Sequence, residues 1–213
     1  MGILQSEIPR TFVDCNRVID APPEAFREGK VTPGVPPWIR HPDDLTLLRD
    51  LHGRYVRAAT TAIDVVCGAG GRALLLHTYA PWSVDVEVDA DIVANMHAAY
   101  ADTSKWPVRP EVDVIGRALD GTALVDPALL DALTTAYARI AVTVADGLTY
   151  PMHPSTHAFH HAARWPGRAL CVEVRRDLLA EPFSPFAEMR IPVEKAQRMA
   201  GPIVEAMGAW TGR

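Results

Sequence analysis

The chain has 213 residues, of which 48% are hydrophobic, and its 21 Lys and Arg against 26 Asp and Glu give a formal net charge of −5. This composition predicts a globular protein with one substantial core, and we expect a single domain over residues 1–213. No apolar run approaches the roughly 18 residues of a membrane-spanning helix, and the N-terminus lacks the order of a signal peptide. We therefore expect a cytoplasmic protein with no membrane partner. Because the net charge is negative and no basic stripe is present, we expect no nucleic-acid partner either.

Three cysteines, Cys15, Cys67 and Cys171, lie far apart and in no C-x-x-C spacing. This pattern favours neither a zinc knuckle nor a redox pair. We expect buried or half-buried thiols in a reducing cytoplasm.

The first 70 residues predict a strand, a loop and a long helix. Residues 3–14 mix β-formers with polar residues and predict a strand that leads into Asp14-Cys-Asn-Arg17. Six prolines and two glycines in residues 21–42 predict an irregular loop. Apolar residues then recur every three or four positions, which predicts a helix from Asp43 or Asp44 to about Gly68.

The middle of the chain predicts two short strands separated by irregular structure. The apolar run at residues 72–78 follows a Gly-rich turn and predicts a strand buried on both faces, with His77 near its end. Residues 79–111 predict irregular structure with a short helix at 89–100, and residues 111–116 predict a second strand.

The last 90 residues predict two helices and two strands. Asp126-Pro127 is a typical helix start, and the apolar stripe after it predicts a helix that ends at Gly147. Residues 148–151 predict a brief strand, followed by a loop rich in His and Pro. Residues 168–175 alternate like a strand, and a final helix begins near Pro192 and should be kinked or divided at Pro202.

Strands that alternate with helices predict a three-layer α/β/α domain with a mostly parallel central sheet. Ligand sites in such domains gather at the carboxyl edge of the strands. Asn16-Arg17, His77 and Glu173 follow or end three of the predicted strands, so we expect them to converge there. Each also has an ordinary interpretation, namely an ion pair of Arg17 with Asp14 or Asp20, a packed histidine, and an ion pair of Glu173.

Four segments, in the same order along the chain, resemble motifs of the N-formylglutamate amidohydrolase family. Asp14-Cys-Asn-Arg17 is similar to the D-x-N-R motif, and residues 74–78 resemble the strand that ends in a His-Ser metal-ligand motif. Residues 109–122 are similar to R-P-D-x-x-x-G…DG-T. Residues 171–178 resemble Q-x-E-x-N-R-x-L, with Cys171 in place of Gln and Arg175 in place of Asn. The resemblance covers roughly residues 4–190 and implies the fold of the zinc carboxypeptidase-like hydrolases.

The resemblance also implies a role for each matched residue. Arg17, with Asn16 and Arg176, would bind a substrate carboxylate, and His77 would be a zinc ligand. Glu173 would be the catalytic residue that activates the metal-bound water and passes its proton to the leaving amine. These roles agree with the chemistry of the groups, because guanidinium pairs bidentately with carboxylate and neutral imidazole suits zinc.

The family carries two further zinc ligands before the D-x-N-R motif, and the chain begins only a few residues before Asp14. We therefore expect an N-terminally shortened domain with substoichiometric or absent zinc, since catalytic zinc takes three protein ligands. A bound metal would need loop histidines or a partner chain that covers the shortened N-terminus. Candidate ligands are His41 with Asp44, and the histidines of the later loop, which packing also explains: His153, His157, His160 and His161.

Two functional hypotheses follow. The first is a metal-dependent hydrolase of the C–N amide bond in a small N-acyl amino acid such as N-formylglutamate. The second is a catalytically inactive relative that keeps the fold and binds a small carboxylate or a partner protein. The metal content of the purified protein distinguishes the two.

Overall fold

The structure is a computed structural model and describes residues 2–29, 31–87 and 89–209. Within these ranges the secondary structure consists of α-helices, β-strands and two 3-10 turns at Thr103–Lys105 and Arg176–Leu178. In chain order the helices and strands are α1 (Pro23–Glu28), α2 (Pro42–Gly68), β1 (Ala73–Tyr79), α3 (Ile92–Tyr100), β2 (Val112–Val114), α4 (Pro127–Ala138), β3 (Val144–Asp146), α5 (His157–Arg164), β4 (Ala169–Arg175) and α6 (Val193–Ala209).

The four strands form one sheet in the order β1-β4-β2-β3. β1 pairs with β4 in parallel, β2 pairs with β3 in parallel, and β2 and β4 are antiparallel. Two of the three pairings are parallel, which confirms the predicted mostly parallel sheet.

Helices cover both faces of the sheet, as predicted. Leu170, Val172 and Val174 of β4 pack into a core with α4 and α6. Because side chains of a strand alternate between faces, Ala169, Cys171 and Glu173 point the other way. Ala169 and Cys171 pack with α5, and α2 lies beside α5 on that face. Glu173 therefore lies on the face of the sheet that α2 and α5 cover.

The strand predicted over residues 3–14 is wrong. No strand occurs there, and the amide of Phe12 donates to the carbonyl of Pro9 over 2.9 Å, which closes a turn. Ile3 is 82% exposed, and Val13 is the buried apolar residue of this stretch. The β-forming residues have no sheet to bury them, and Asn16 and Arg17 lie in a turn that no strand precedes.

The helix predicted from Asp126 to Gly147 is too long. Asp126 caps it as expected, but α4 ends at Ala138, and Ala141 has a φ of 55°, which a helix does not allow. The β-branched residues that follow form β3 instead of extending the helix. The brief strand predicted at residues 148–151 is also wrong, because the amides of Leu148 and Thr149 donate to Asp113.

The predicted His-rich loop contains a helix, α5, which starts after Thr156, whose hydroxyl accepts from the amide of Phe159 over 3.3 Å. α6 continues through Pro202 and is not divided there. Among the residues described, no helix is both long and apolar enough to cross a membrane.

Candidate functional site

The central pair of the site is set by the register of β1 and β4. His77 and Glu173 are direct partners across the parallel pairing. Both therefore lie at one position of the sheet, on the face that α2 and α5 cover. The structure confirms that these two predicted residues are neighbours, although both lie inside their strands and not at the ends.

A turn at residues 14–17 forms the facing wall. The Asp14 carboxylate accepts the amide of Asn16 over 2.9 Å, and the Asp14 carbonyl accepts the amide of Arg17 over 3.0 Å. The turn is fastened to the first turn of α5, because the Asn16 side-chain oxygen accepts the amide of Ala158 over 2.9 Å. Asn16 therefore holds the turn in place, and its side-chain oxygen is already engaged.

Between the wall and the sheet lies a cavity of about 40 Å³. Four of the five predicted site residues line it: Asn16, Arg17, His77 and Glu173. The other lining residues are Arg10, Val31, Ile115, Tyr150, Pro151, Met152, His153, Thr156, Ala158 and Cys171. This volume holds a few water molecules and is far below the roughly 300 Å³ of a typical ligand pocket.

Arg176 does not line this cavity. It lies in the 3-10 turn after β4, where its guanidinium donates to the hydroxyl and the carbonyl of Thr78 over 3.4 and 3.3 Å. These contacts tie the end of β4 to β1. The substrate contact predicted for Arg176 is therefore not supported by its position.

Glu173 is buried, and its two oxygens differ. Oε1 accepts the hydroxyl of Tyr150, whereas Oε2 is buried without a hydrogen-bond partner. Burial raises the pKa of the Glu173 carboxyl above its ordinary value, against the opposing effects of the Tyr150 hydrogen bond and of Arg10. A carboxyl with a raised pKa holds a proton more readily than an exposed one, which is a property that general acid–base catalysis uses.

His77 is neutral at physiological pH. Burial lowers the pKa of its imidazole to about 4, and the positive charge of Arg10 acts in the same direction. A neutral imidazole offers one nitrogen as an acceptor or as a metal ligand.

Arg17 is buried and is already paired. Its guanidinium lies 3.2 Å from the Asp14 carboxylate, and its Nε donates to the carbonyl of Thr32 over 3.1 Å. Of the two ordinary partners proposed for Arg17, Asp14 is the one observed, and Asp20 instead pairs with Arg49 over 3.3 Å. Burial alone would raise the pKa of Asp14, but Arg17 and Arg10 hold it below its ordinary value.

The sequence interpretation missed Arg10, Asp113 and Tyr150. Arg10 binds the Asp14 carboxylate through Nε over 2.7 Å and also lines the cavity. The signal that could have found it is an arginine four residues before Asp14, since guanidinium and carboxylate groups form strong charge-assisted hydrogen bonds when they meet. Tyr150 lies outside the four matched motifs. Asp113 lies within the matched segment 109–122, but only strand register places it beside Glu173.

The described residues do not fit a complete catalytic zinc site. No group of three His, Cys, Asp or Glu side chains within the described ranges is arranged to hold a metal ion. Beside His77, the Asp14 carboxylate is shared by two arginines and Glu173 is bonded to Tyr150. Of the alternative ligands, His41 is exposed before α2. His153 lines the cavity, but its Nδ1 bonds the Ser155 hydroxyl over 2.9 Å and its Nε2 lies 3.4 Å from the Glu28 carboxylate.

His157 and His161 do share one side of α5, with ring centroids 6.4 Å apart, but they belong to the packing between α5 and α2. The ring of His52 of α2 lies 5.5 Å from that of His157. The packing interpretation of these loop histidines therefore agrees with their positions.

Comparisons with known proteins support the fold. No protein-family model and no curated protein matches the chain. The crystal structure of N-formylglutamate amidohydrolase from Ralstonia eutropha JMP134 is similar, with a TM-score of 0.59 and 17% sequence identity, over 94% of this chain and 73% of that chain. At this identity the similarity shows that the two chains share a fold, and it agrees with the motif resemblance of the sequence.

Proposed function

We propose that this chain is an amide hydrolase that acts on a small N-acyl amino acid with a free carboxylate, such as N-formylglutamate. The observation that carries the proposal is the pairing of Glu173 with His77 in a cavity that Arg10 and Arg17 also line. The fold shared with an N-formylglutamate amidohydrolase supports it.

In this proposal Glu173 moves the proton. Its free Oε2 takes a proton from a water molecule, whose oxygen forms a bond to the acyl carbon. When the C–N bond breaks, Glu173 returns the proton to the leaving amine, so that one carboxylate serves as base and then as acid. No step is assigned to a metal, because the ligand set is incomplete.

In this proposal the ion cluster of Arg10, Asp14 and Arg17 binds the anionic part of the substrate. Asp14 lies between Arg10 and Arg17, so the three side chains together carry one positive charge. Such a cluster attracts an anionic group, and a preorganised guanidinium stabilises negative charge that develops on the attacked oxygen. The cavity accommodates the acyl end, and the amino-acid portion extends toward the exposed side of Arg10.

The test is release of formate from N-formylglutamate by the purified chain, compared with Glu173→Gln and Glu188→Gln. Glu188 is an exposed glutamate away from the cavity, and it serves as the matched control. We expect Glu173→Gln to lose about 100-fold or more in kcat while the control retains its activity. Equal rates for the two variants would contradict the role of Glu173.

A second candidate is a binding protein that holds a small carboxylate without cleaving it. The incomplete ligand set favours it. Calorimetric titration with N-formylglutamate distinguishes the two functions, because this candidate predicts measurable binding with no formate released from the same sample.

A further inference from the structure

Asp113 is a carboxylate buried in the middle of the sheet, and it lies directly opposite Glu173. It is 0% exposed and is the partner of Glu173 in the antiparallel pairing of β2 and β4. Its two oxygens accept the amides of Leu148 and Thr149 over 3.1 and 2.7 Å. A buried carboxylate is costly unless hydrogen-bonded, so these two bonds fix the start of the loop that follows β3.

The same loop carries Tyr150 into the site. Gly147 has a φ of 65°, which lets the chain turn back from β3 toward the sheet. Tyr150 then lines the cavity, and its hydroxyl donates to Oε1 of Glu173. Burial and the neighbouring Glu173 carboxylate raise the pKa of the Tyr150 hydroxyl, so it remains a donor over the physiological pH range.

We propose that Asp113 and Tyr150 are positioning residues for Glu173. Asp113 holds the loop at residues 147–150, and Tyr150 of this loop binds Oε1 of Glu173. Oε2 is then left as the proton-transferring oxygen. The inference rests on the proposed function and names which oxygen of the carboxylate reacts. A hydrogen bond to an ionised acceptor is strong and directional, so it fixes the side-chain rotamer. The unpartnered Oε2 is then the oxygen available to a water molecule.

A purely structural role for Tyr150 makes a different prediction. If the tyrosine only filled space, loss of its hydroxyl would lower stability and would leave the Glu173 carboxyl unchanged. Tyr137 provides the matched control, because its buried hydroxyl donates to the carbonyl of Met199 over 2.8 Å in the core between α4 and α6. Tyr150→Phe and Tyr137→Phe each remove one buried tyrosine hydroxyl.

The first measurement is the carboxyl ¹³C NMR signal of Glu173 at neutral pH, assigned by its disappearance in Glu173→Gln. We expect Tyr150→Phe to shift this signal and Tyr137→Phe to leave it in place. An unmoved signal in Tyr150→Phe overturns the proposal. This readout needs no activity, so it decides the positioning role even if the chain hydrolyses nothing and the proposed function fails.

The second measurement separates kcat from KM for the hydrolysis of N-formylglutamate. We expect Tyr150→Phe and Asp113→Asn to lower kcat by about 10- to 100-fold with little change in KM, because a displaced catalytic group affects the reaction more than binding. A rise in KM alone would overturn the proposal. Should Asp113→Asn fail to fold, Tyr150→Phe carries the test by itself.

Discussion

The two walls of the cavity are held by different forces. The sheet wall presents His77 and Glu173 from adjacent strands whose backbones are fully paired along seven positions. The opposite wall is a turn without strand pairing beyond a single bridge between Arg17 and Thr156, and it is held by an ion cluster and by bonds to α5. Glu173, the carboxylate that we propose reacts, therefore lies on the wall that backbone pairing holds. The positive charges lie on the wall that depends on a few side-chain contacts.

The largest expected effect comes from removing the centre of the ion cluster. Asp14→Asn leaves Arg17 buried without a counter-ion, and losing one partner of a buried pair costs about 3 to 5 kcal/mol. Asp20→Asn is the control, because its pair with Arg49 is exposed and such pairs contribute about 0 to 1 kcal/mol. Urea unfolding measures both changes. Equal losses for the two variants would show that the cluster does not hold the wall.

A smaller effect is expected from replacing a charged side chain by one of the same charge and different geometry. Arg17→Lys keeps the charge but loses the planar fork, so we expect N-formylglutamate to bind more weakly by about 1 to 3 kcal/mol. Calorimetric titration with the acid and with its amide measures this change, and Arg49→Lys is the exposed control. If acid and amide bind equally, or if Arg17→Lys changes nothing, Arg17 serves only as the partner of Asp14.

The two walls also differ in how far the sequence predicts them. The strands that carry His77 and Glu173 follow from short apolar runs next to turns, and the motif order pointed to the same two residues. The sequence predicts a strand before the turn at residues 14–17, because local β-propensity does not show that residues 3–14 lack a sheet to pair with.

For other site residues the sequence does not show which groups they contact. Asp113 faces Glu173 across 60 residues of sequence, and only the antiparallel pairing of β2 with β4 brings them together. The position of Tyr150 depends on where β3 ends. The sequence does not predict β3, because the apolar stripe of α4 continues past Ala138, where the helix ends. Long-range register therefore decides which residues surround the predicted pair.

The histidines between α2 and α5 also contact the turn at residues 14–17, since the Nε2 atom of His52 lies 2.8 Å from the carbonyl oxygen of Arg17. One histidine of this group, His157, predicts a dependence of stability on pH. Burial and the nearby His52, His160 and His161 lower the pKa of His157 to about 4, whereas the unfolded chain binds this proton at its ordinary value near 6.5. The contribution of the neutral His157 ring to the free energy of unfolding is therefore complete above about pH 6.5, and it is lost as the pH falls to about 4. We expect about 1 kcal/mol, less than the full shift implies, because the partly exposed ring is screened by solvent.

Urea unfolding at pH 7 and at pH 4.5 measures this dependence. Because His157→Phe keeps an aromatic ring without a titrating group, we expect a smaller loss between the two pH values than in the unmodified chain. The exposed His41 supplies the control variant His41→Gln, which should behave like the unmodified chain. A loss that is unchanged in His157→Phe would assign the dependence to carboxylates elsewhere.

The smallest effect is expected when metal is removed and the thermal stability is measured. A protein that holds zinc at 1,000 times its dissociation constant gains about 4 kcal/mol, and for a chain of this length that raises the Tm by roughly 8 to 16 °C. Among the described residues, no two further ligands are arranged with His77 to hold a metal ion. The Asp14 carboxylate is paired with arginines, and the Glu173 carboxylate accepts a hydrogen bond from Tyr150. We therefore expect zinc well below one equivalent per chain after purification without chelator, and a Tm that EDTA changes by less than about 1 °C. One equivalent of zinc that is lost in His77→Ala would contradict this expectation. If that zinc appeared only in an oligomer, the missing ligands would come from a second chain.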